Sequence, residues 1–289
     1  MRANFTAQNS GTTNTDVQTT SVPSESLFHS AFYLFVHLHD VDAVVEQVRA
    51  QTTALLGSVL IAQEGINGVL AGTAAALDYF EQALRSDVRF APIVFKRSAC
   101  STAPFGRIKV HKKSEIVFMG VSEVDAVRKT GVAVSPQDWR TLIAADDVVV
   151  IDNRNSFEYR LGRFKHAVDP GVANFRDFPA YIAAQLPAWQ AAGKRIAMYC
   201  TGGIRCEKTS AWMDDLGVPV YQLEGGILNY FQSMPDAEKD WDGECFVFDN
   251  RIALDTKLQE TATTLEQVYA DLPDGAWRIE RARRLDQSS

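Results

Sequence analysis

Tyr199-Cys200-Thr201-Gly202-Gly203-Ile204-Arg205-Cys206-Glu207-Lys208 is the stretch that decides the fold. The apolar run Arg195–Tyr199 before it reads as a buried parallel strand, and a helical pattern follows from Ile204 to Asp215. A cysteine between them sits at the bottom of a cup of backbone N–H groups, at the positive end of a helix. The Arg205 guanidinium is close in sequence. Each of these terms favours thiolate over thiol. A free cysteine is usually inert core packing, but Thr201-Gly202-Gly203 serves no packing purpose, because glycines are useful where N–H groups must turn inward. Cys200 therefore reads as a reactive thiol in an anion-binding loop formed by Thr201, Gly202, Gly203, Ile204 and Arg205.

Strands and helices alternate on both sides of the loop. Ser135-Pro136 marks a helix start, an N-cap followed by proline at the first helical position. The pattern then predicts strand Val148–Ile151, helix Ser156–Leu161, helix Ala180–Ala192, strand Val218–Leu223 and helix Gly226–Met234. Such alternation implies an α/β unit with a doubly wound parallel sheet over residues 135–238. Ligands bind such sheets at the carboxyl ends of strands, where Cys200 falls.

Upstream, strand Phe32–Val36, helix Val41–Thr53, strands Ser58–Ala62 and Ile66–Ala71, helix Ala74–Arg85 and strand Phe90–Lys96 follow in order. The βαββαβ sequence predicts a ferredoxin-like (acylphosphatase-like) α+β domain over residues 27–100. Residues 101–134 read as an extension and linker, and residues 1–26, rich in Asn, Thr, Gln and Ser, as a disordered tail without a signal peptide. Residues 239–289 form a C-terminal extension with one amphipathic segment, Leu258–Leu272, and a basic end, Arg278 to Arg284.

The chain has 289 residues, 46% hydrophobic and 22% charged, with a net charge of −7. That balance suits a globular protein of about two domains and argues against non-specific nucleic-acid binding, though not against a local basic patch. No apolar run approaches the roughly 18 residues of a membrane span. Four scattered cysteines (100, 200, 206 and 245) give no disulfide framework, which points to a reducing, cytoplasmic setting. No flavin, nicotinamide, haem or metal-binding pattern is present, and no stable protein partner is indicated.

Spacing narrows the chemistry. Four residues separate Cys200 from Arg205, one fewer than a Cys-x5-Arg phosphatase loop uses to cradle phosphate. The cup suits a smaller cargo, such as a terminal sulfur or an oxygen on the cysteine itself. Asp152 ends a strand, Arg154 follows it into the crevice, and Glu158 can pair with Arg154 from the first turn of the next helix. This supporting pair would position the loop.

Cys200–Arg205 looks like the six-residue active loop of a rhodanese domain. Asp152-Asn153-Arg154-Asn155-Ser156-Phe157-Glu158-Tyr159-Arg160-Leu161-Gly162-Arg163-Phe164 resembles the rhodanese D-x-R-x-x-x-E-[YF]-x-x-G-H-[IF] signature, departing at Arg163. The longer string from Met198 to Ala211, together with Ala62-Gln63-Glu64-Gly65-Ile66-Asn67-Gly68 and Glu224-Gly225-Gly226-Ile227, resembles the bacterial tRNA uridine(34) hydroxylase family over roughly residues 30–255. That resemblance implies a rhodanese-like second domain and an oxidoreductase converting the wobble uridine of tRNA to 5-hydroxyuridine. It also implies molecular oxygen as co-substrate, the tRNA anticodon loop as partner and Cys200 as the essential residue. Some members carry a cysteine-rich C-terminal extension, which this chain lacks, so no zinc site is carried over.

For an RNA partner the sequence offers Lys96, Arg97, Arg107, Lys109, His111, Lys112 and Lys113, and at the end Arg278, Arg281, Arg283 and Arg284. A solvated charged face is the alternative. Two schemes fit the sulfur: addition of a Cys200 thiolate to C6 of uridine, or an oxidised or persulfide sulfur carrying the transferred atom. The loop equally permits a thiosulfate-type sulfurtransferase using a Cys200 persulfide, and a non-catalytic sulfur-carrier or RNA-binding module is the third reading. Cys206 is either a resolving thiol or a packed helix residue. His37-x-His39, taken as strand, would put both rings on one face without a third metal ligand. Glu64-Gly65-Ile66-Asn67-Gly68 most simply makes a tight strand connection.

Overall fold

A computed structural model describes residues 26–287, with side chains through Arg283. The tail expected over 1–26 lies, apart from Ser26, outside the described residues.

The first domain runs β1 (Leu27–Phe35), α1 (Val41–Gln51), β2 (Leu56–Ala62), β3 (Gly65–Gly72), α2 (Ala74–Arg85), β4 (Val94–Cys100) and β5 (Ile108–Lys112). Its sheet has the order β4-β1-β3-β2-β5. In α1, Val41, Val44, Val45 and Val48 recur on one face and are buried, as helical periodicity requires. In α2 the Thr73 side chain caps the first turn, accepting from the Ala76 N–H at 3.2 Å.

Three expectations need correction. The first strand starts at Leu27 and not Phe32, because the whole stretch from Leu27 to Tyr33 pairs with β4. The last strand of the βαββαβ set starts later than Phe90, because the Asp87 carboxylate caps a one-turn 3-10 helix, Val88–Phe90, that seats Phe90 in the core. The stretch 101–134 is not all linker: Ile108–Lys112 pairs parallel with β2, from Gly57↔Ile108 to Ile61↔Lys112. Only one face of β5 is covered, so its alternation is hidden among charges.

The second domain contains β6 (Val132–Val134), α3 (Pro136–Ile143), β7 (Val148–Asp152), α4 (Ser156–Leu161), β8 (Gly162–Phe164), α5 (Phe178–Ala191), β9 (Arg195–Tyr199), α6 (Ile204–Asp215), β10 (Val220–Leu223) and α7 (Gly226–Ser233). Its main sheet is parallel, in the order β6-β10-β9-β7. Trp139, Phe164, Tyr199, Tyr230 and Trp241 stack edge to face beneath it.

The remaining chain packs back on this domain. β11 (Trp241–Gly243) pairs with β8, β12 (Cys245–Phe246) with β13 (Ala253–Leu254), and two helices follow, α8 (Leu265–Tyr269) and α9 (Gly275–Gln287). The amphipathic stretch expected over Leu258–Leu272 is thus helical only in its second half. No described helix is long and apolar enough to cross a membrane.

Candidate active site

Cys200 follows β9 directly and is 1% exposed, at the base of a cavity of about 1460 Å³ between the two domains. The Gly203 N–H donates to its Sγ at 3.2 Å. Burial pushes the thiol up. Hydrogen bonds from the Cys206 thiol, the Arg205 charge and the backbone N–H groups of Cys206 and Gly203 outweigh it and hold Cys200 well below the usual thiol range. Cys206 moves the other way: burial and the adjacent Cys200 charge keep it protonated, as the donor of that hydrogen bond. The expected cup of residues 201–205 therefore works through Gly203 and, one residue beyond it, Cys206. Two glycines permit this closeness. Gly203 has φ +105°, and a Cβ there would meet the Tyr33 hydroxyl at 2.8 Å; Gly226 has φ +71°, and a Cβ there would meet the Cys200 carbonyl at 2.5 Å.

Beneath the loop lies a layer of buried ion pairs, with partners different from those expected. Arg154 folds back onto the end of its own strand, donating to Asp152 at 2.6 and 2.8 Å and to the Gly162 carbonyl at 2.6 Å. Asp152 also accepts from the Tyr199 hydroxyl at 2.7 Å. Glu158 is left to Arg205, which donates to both of its oxygens at 2.8 Å. The Glu158 carboxyl is pushed up by burial but held below its ordinary range by Arg205. Arg205 thus acts as a fixed charge behind the sulfur, and Arg154 does not touch the loop.

The α7 N-terminus secures the loop from the side. The Ile227 and Leu228 N–H groups donate to the carbonyls of Cys200 and Thr201 at 3.0 and 3.2 Å, which gives Glu224-Gly225-Gly226-Ile227 its purpose.

The opposite wall comes from the first domain. Lys96, expected on an RNA-binding surface, is instead mostly buried and donates from Nζ to the carbonyls of Gly202 at 2.8 Å and Gly225 at 2.9 Å. The Tyr33 hydroxyl donates to Glu207 Oε2 at 2.9 Å. Lys208, 1% exposed, donates to both oxygens of Glu64, to Glu115 Oε2 at 2.6 Å and to the Val117 carbonyl. The Glu64-Gly65-Ile66-Asn67-Gly68 turn is therefore a strut between domains: Glu64 also accepts the Ile116 N–H at 2.7 Å, and Asn67 donates to the Ile116 carbonyl at 3.0 Å. Sequence reasoning missed Tyr33, Glu207 and Lys208; the string Cys206-Glu207-Lys208 was the available signal.

The other sequence candidates divide. Arg97 lines the cavity but is paired with Asp78 at 2.7 Å and Glu81 at 2.8 Å. Lys112 bonds Asp42 at 2.8 Å. Arg107, Lys109 and Lys113 lie on or beside β5, outside the cavity lining, and with Arg49 they depress the His111 pKa, after burial. Arg278 and Arg281 of α9 do line the cavity, with the exposed rings of Phe118, Phe248 and Trp277 at its rim. Arg176 joins them, a contact sequence reading did not find. Arg283 pairs with Glu266, and the Arg284 side chain lies outside the described residues. His37 and His39 follow the end of β1 rather than lying in it, and His37 sits 3.4 Å from Asp125. Among the described residues no group of three His, Cys, Asp or Glu could hold a metal. Cys100 and Cys245 stay protonated, Cys245 pushed up to about 12 by burial.

A parallel sheet ending in a Cys-x4-Arg loop, with an arginine behind an ionised sulfur, defines a rhodanese-type domain, here roofed by a ferredoxin-like one. Residues 135–233 match the rhodanese-like domain family, and residues 28–116 match the UPF0176 acylphosphatase-like domain family. The chain is 44% identical over 243 residues to a tRNA uridine(34) hydroxylase of Legionella pneumophila (strain Corby), covering 83% of this chain and 95% of that protein. It is 46% identical over 231 residues to a tRNA uridine(34) hydroxylase of Synechococcus elongatus, covering 79% and 85%. The chain belongs to the tRNA uridine(34) hydroxylase family.

Proposed function

We propose that this protein hydroxylates uridine 34 of tRNA at C5, with the Cys200 thiolate as nucleophile. Family membership supplies the reaction, and the ionised sulfur at the floor of a cavity shared by two domains carries the role of Cys200. The cavity exceeds the roughly 300–1,000 Å³ of ordinary small-molecule pockets, which fits an RNA loop better than thiosulfate or a small thiol. A wobble uridine in an anticodon loop is reachable without melting a duplex. Arg176 and Arg281 stand exposed at the cavity to meet phosphates, whereas Arg278 is held by Asp274, and Phe118, Phe248 and Trp277 offer faces for the neighbouring bases.

Addition of the thiolate to C6 makes C5 electron-rich, which is what attack by an oxygen species requires. Molecular oxygen serves as co-substrate: one atom enters the base, and the other leaves as water with two electrons and two protons from a reductant. The cytoplasm, where tRNA and reductant coexist, is the setting. Mass spectrometry of wobble nucleosides from a strain lacking the protein tests this reading. Wild type should restore 5-hydroxyuridine and Cys200→Ser should not. Restoration by Cys200→Ser would remove the sulfur from the mechanism.

A further inference from the structure

Four carboxylates line the cavity that holds Cys200: Glu207, Glu224, Asp249 and Asp274. Asp249 is tied to Arg251 at 2.7 Å and Asp274 to Arg278 at 3.0 Å, and Glu224 is exposed at the rim. Glu207 differs from all three. It is shielded, projects from the first turn of α6 just behind the loop, and has the Tyr33 phenol as its hydrogen-bond partner at 2.9 Å. Tyr33 lies against Gly203, the residue whose N–H holds the Cys200 sulfur at 3.2 Å. The Tyr33–Glu207 pair thus stands one residue away from the nucleophile, on the cavity side, with one member from each domain.

Addition at C6 creates a need that Cys200 cannot meet. Once oxygen is installed, C5 carries both the new hydroxyl and its original hydrogen, and C6 carries sulfur. Release demands a base for that hydrogen.

We propose that Glu207 is the catalytic base that removes the C5 proton of the uridine adduct, oriented by the Tyr33 hydroxyl. The proton passes to a Glu207 oxygen and the C5–H electron pair becomes the C5=C6 double bond. The C6–S bond breaks with its pair returning to Cys200 as thiolate. No oxidant enters this step; the oxidation has already occurred at C5. Burial raises the Glu207 carboxyl above its ordinary range, and the Cys200 charge adds to this against the opposing effects of Tyr33 and Lys96. A carboxylate with raised proton affinity suits the task. The inference rests on the C6-addition reading above.

The test separates the two. An anticodon stem-loop RNA with 5-fluorouridine at position 34 is the first probe, because fluorine activates C6 and cannot leave as a cation. Wild type and Glu207→Gln should both form a protein–RNA adduct stable on denaturing gels, and Cys200→Ser should form none. In cells, Glu207→Gln should then lower 5-hydroxyuridine about 10²- to 10⁴-fold and accumulate native tRNA bound to Cys200, identified by peptide mass spectrometry. Glu207→Asp, which keeps a base, should recover part of the activity, and it serves if Glu207→Gln does not fold. No adduct with wild type overturns C6 addition, and the Glu207 role with it. Adducts with both proteins but wild-type 5-hydroxyuridine in Glu207→Gln cells overturn the Glu207 role alone. Loss of the fluorouridine adduct in a folded Glu207→Gln protein also overturns it, since the side chain would then be needed before elimination.

Discussion

The floor and the roof of the Cys200 site are built on different principles. The floor, Asp152–Arg154 and Glu158–Arg205, is buried, belongs to one domain and contacts nothing that reacts except through Arg205. The roof, Tyr33, Lys96 and Glu64, comes from the other domain and meets the loop carbonyls, Glu207 and Lys208 directly. The floor makes a generic ionised sulfur. The roof holds the loop from above, fixes Glu207 through Tyr33 and walls the cavity over the sulfur. Damage to the floor should cost stability first, and damage to the roof should cost activity first.

The largest effect tests the floor. Glu158→Ala leaves Arg205 buried without its partner, and urea unfolding should show a loss of about 3–5 kcal/mol. A loss under about 1 kcal/mol would mean that water reaches Arg205. Next is the strut, where Lys208→Ala leaves the Glu64 and Glu115 carboxylates facing each other. The same measurement should give about 2–3 kcal/mol.

The roof proper should behave differently. Lys96→Met removes two hydrogen bonds, to the Gly202 carbonyl of the loop and to the Gly225 carbonyl before α7, costing about 1–2 kcal/mol, yet it should reduce turnover about tenfold to hundredfold by releasing the loop. The sulfur itself gives a subtler readout. Because Cys200 titrates well below an ordinary thiol, its alkylation rate should stay flat between pH 7 and 9. An ordinary thiol would accelerate through that window, being mostly protonated at the lower end. Cys206→Ala removes a hydrogen bond to the thiolate, so it should raise the Cys200 value toward the ordinary thiol range and move the onset of alkylation to higher pH. The smallest effect concerns RNA. Replacing Arg176 or Arg281 should lower the salt slope of tRNA binding by about one each, whereas Lys112→Ala, on the Asp42 side of β5, should leave it unchanged.

This contrast also explains how much the sequence disclosed. The boundaries of β9, α6, α2 and α4 follow from period, caps and glycines close to each residue, so local patterns sufficed. Cys200 and Arg205 were legible because strand, loop and helix are contiguous. Glu158 was recognised as supporting but given the wrong partner: the pairing depends on Arg154 folding back two residues to Asp152, which spacing does not reveal. Lys96 read as a surface cation because nothing near it in sequence shows that the second domain covers it. Strand β5 falls inside the stretch that reads as extension and linker, because its single covered face leaves Lys109, His111 and Lys112 dominating the pattern. What escaped is what two distant segments make together: Tyr33 with Glu207, Glu64 with Lys208.

The central claim is that the first domain completes the reaction centre through contacts on the Cys200 loop. Its most direct test is the 5-hydroxyuridine content of position 34 in cells lacking the protein and complemented with Lys96→Met, measured beside the amount of folded protein. The account predicts near-normal protein with at least a tenfold deficit in 5-hydroxyuridine. Full restoration by Lys96→Met would contradict it, and would make the rhodanese-type domain sufficient for the chemistry.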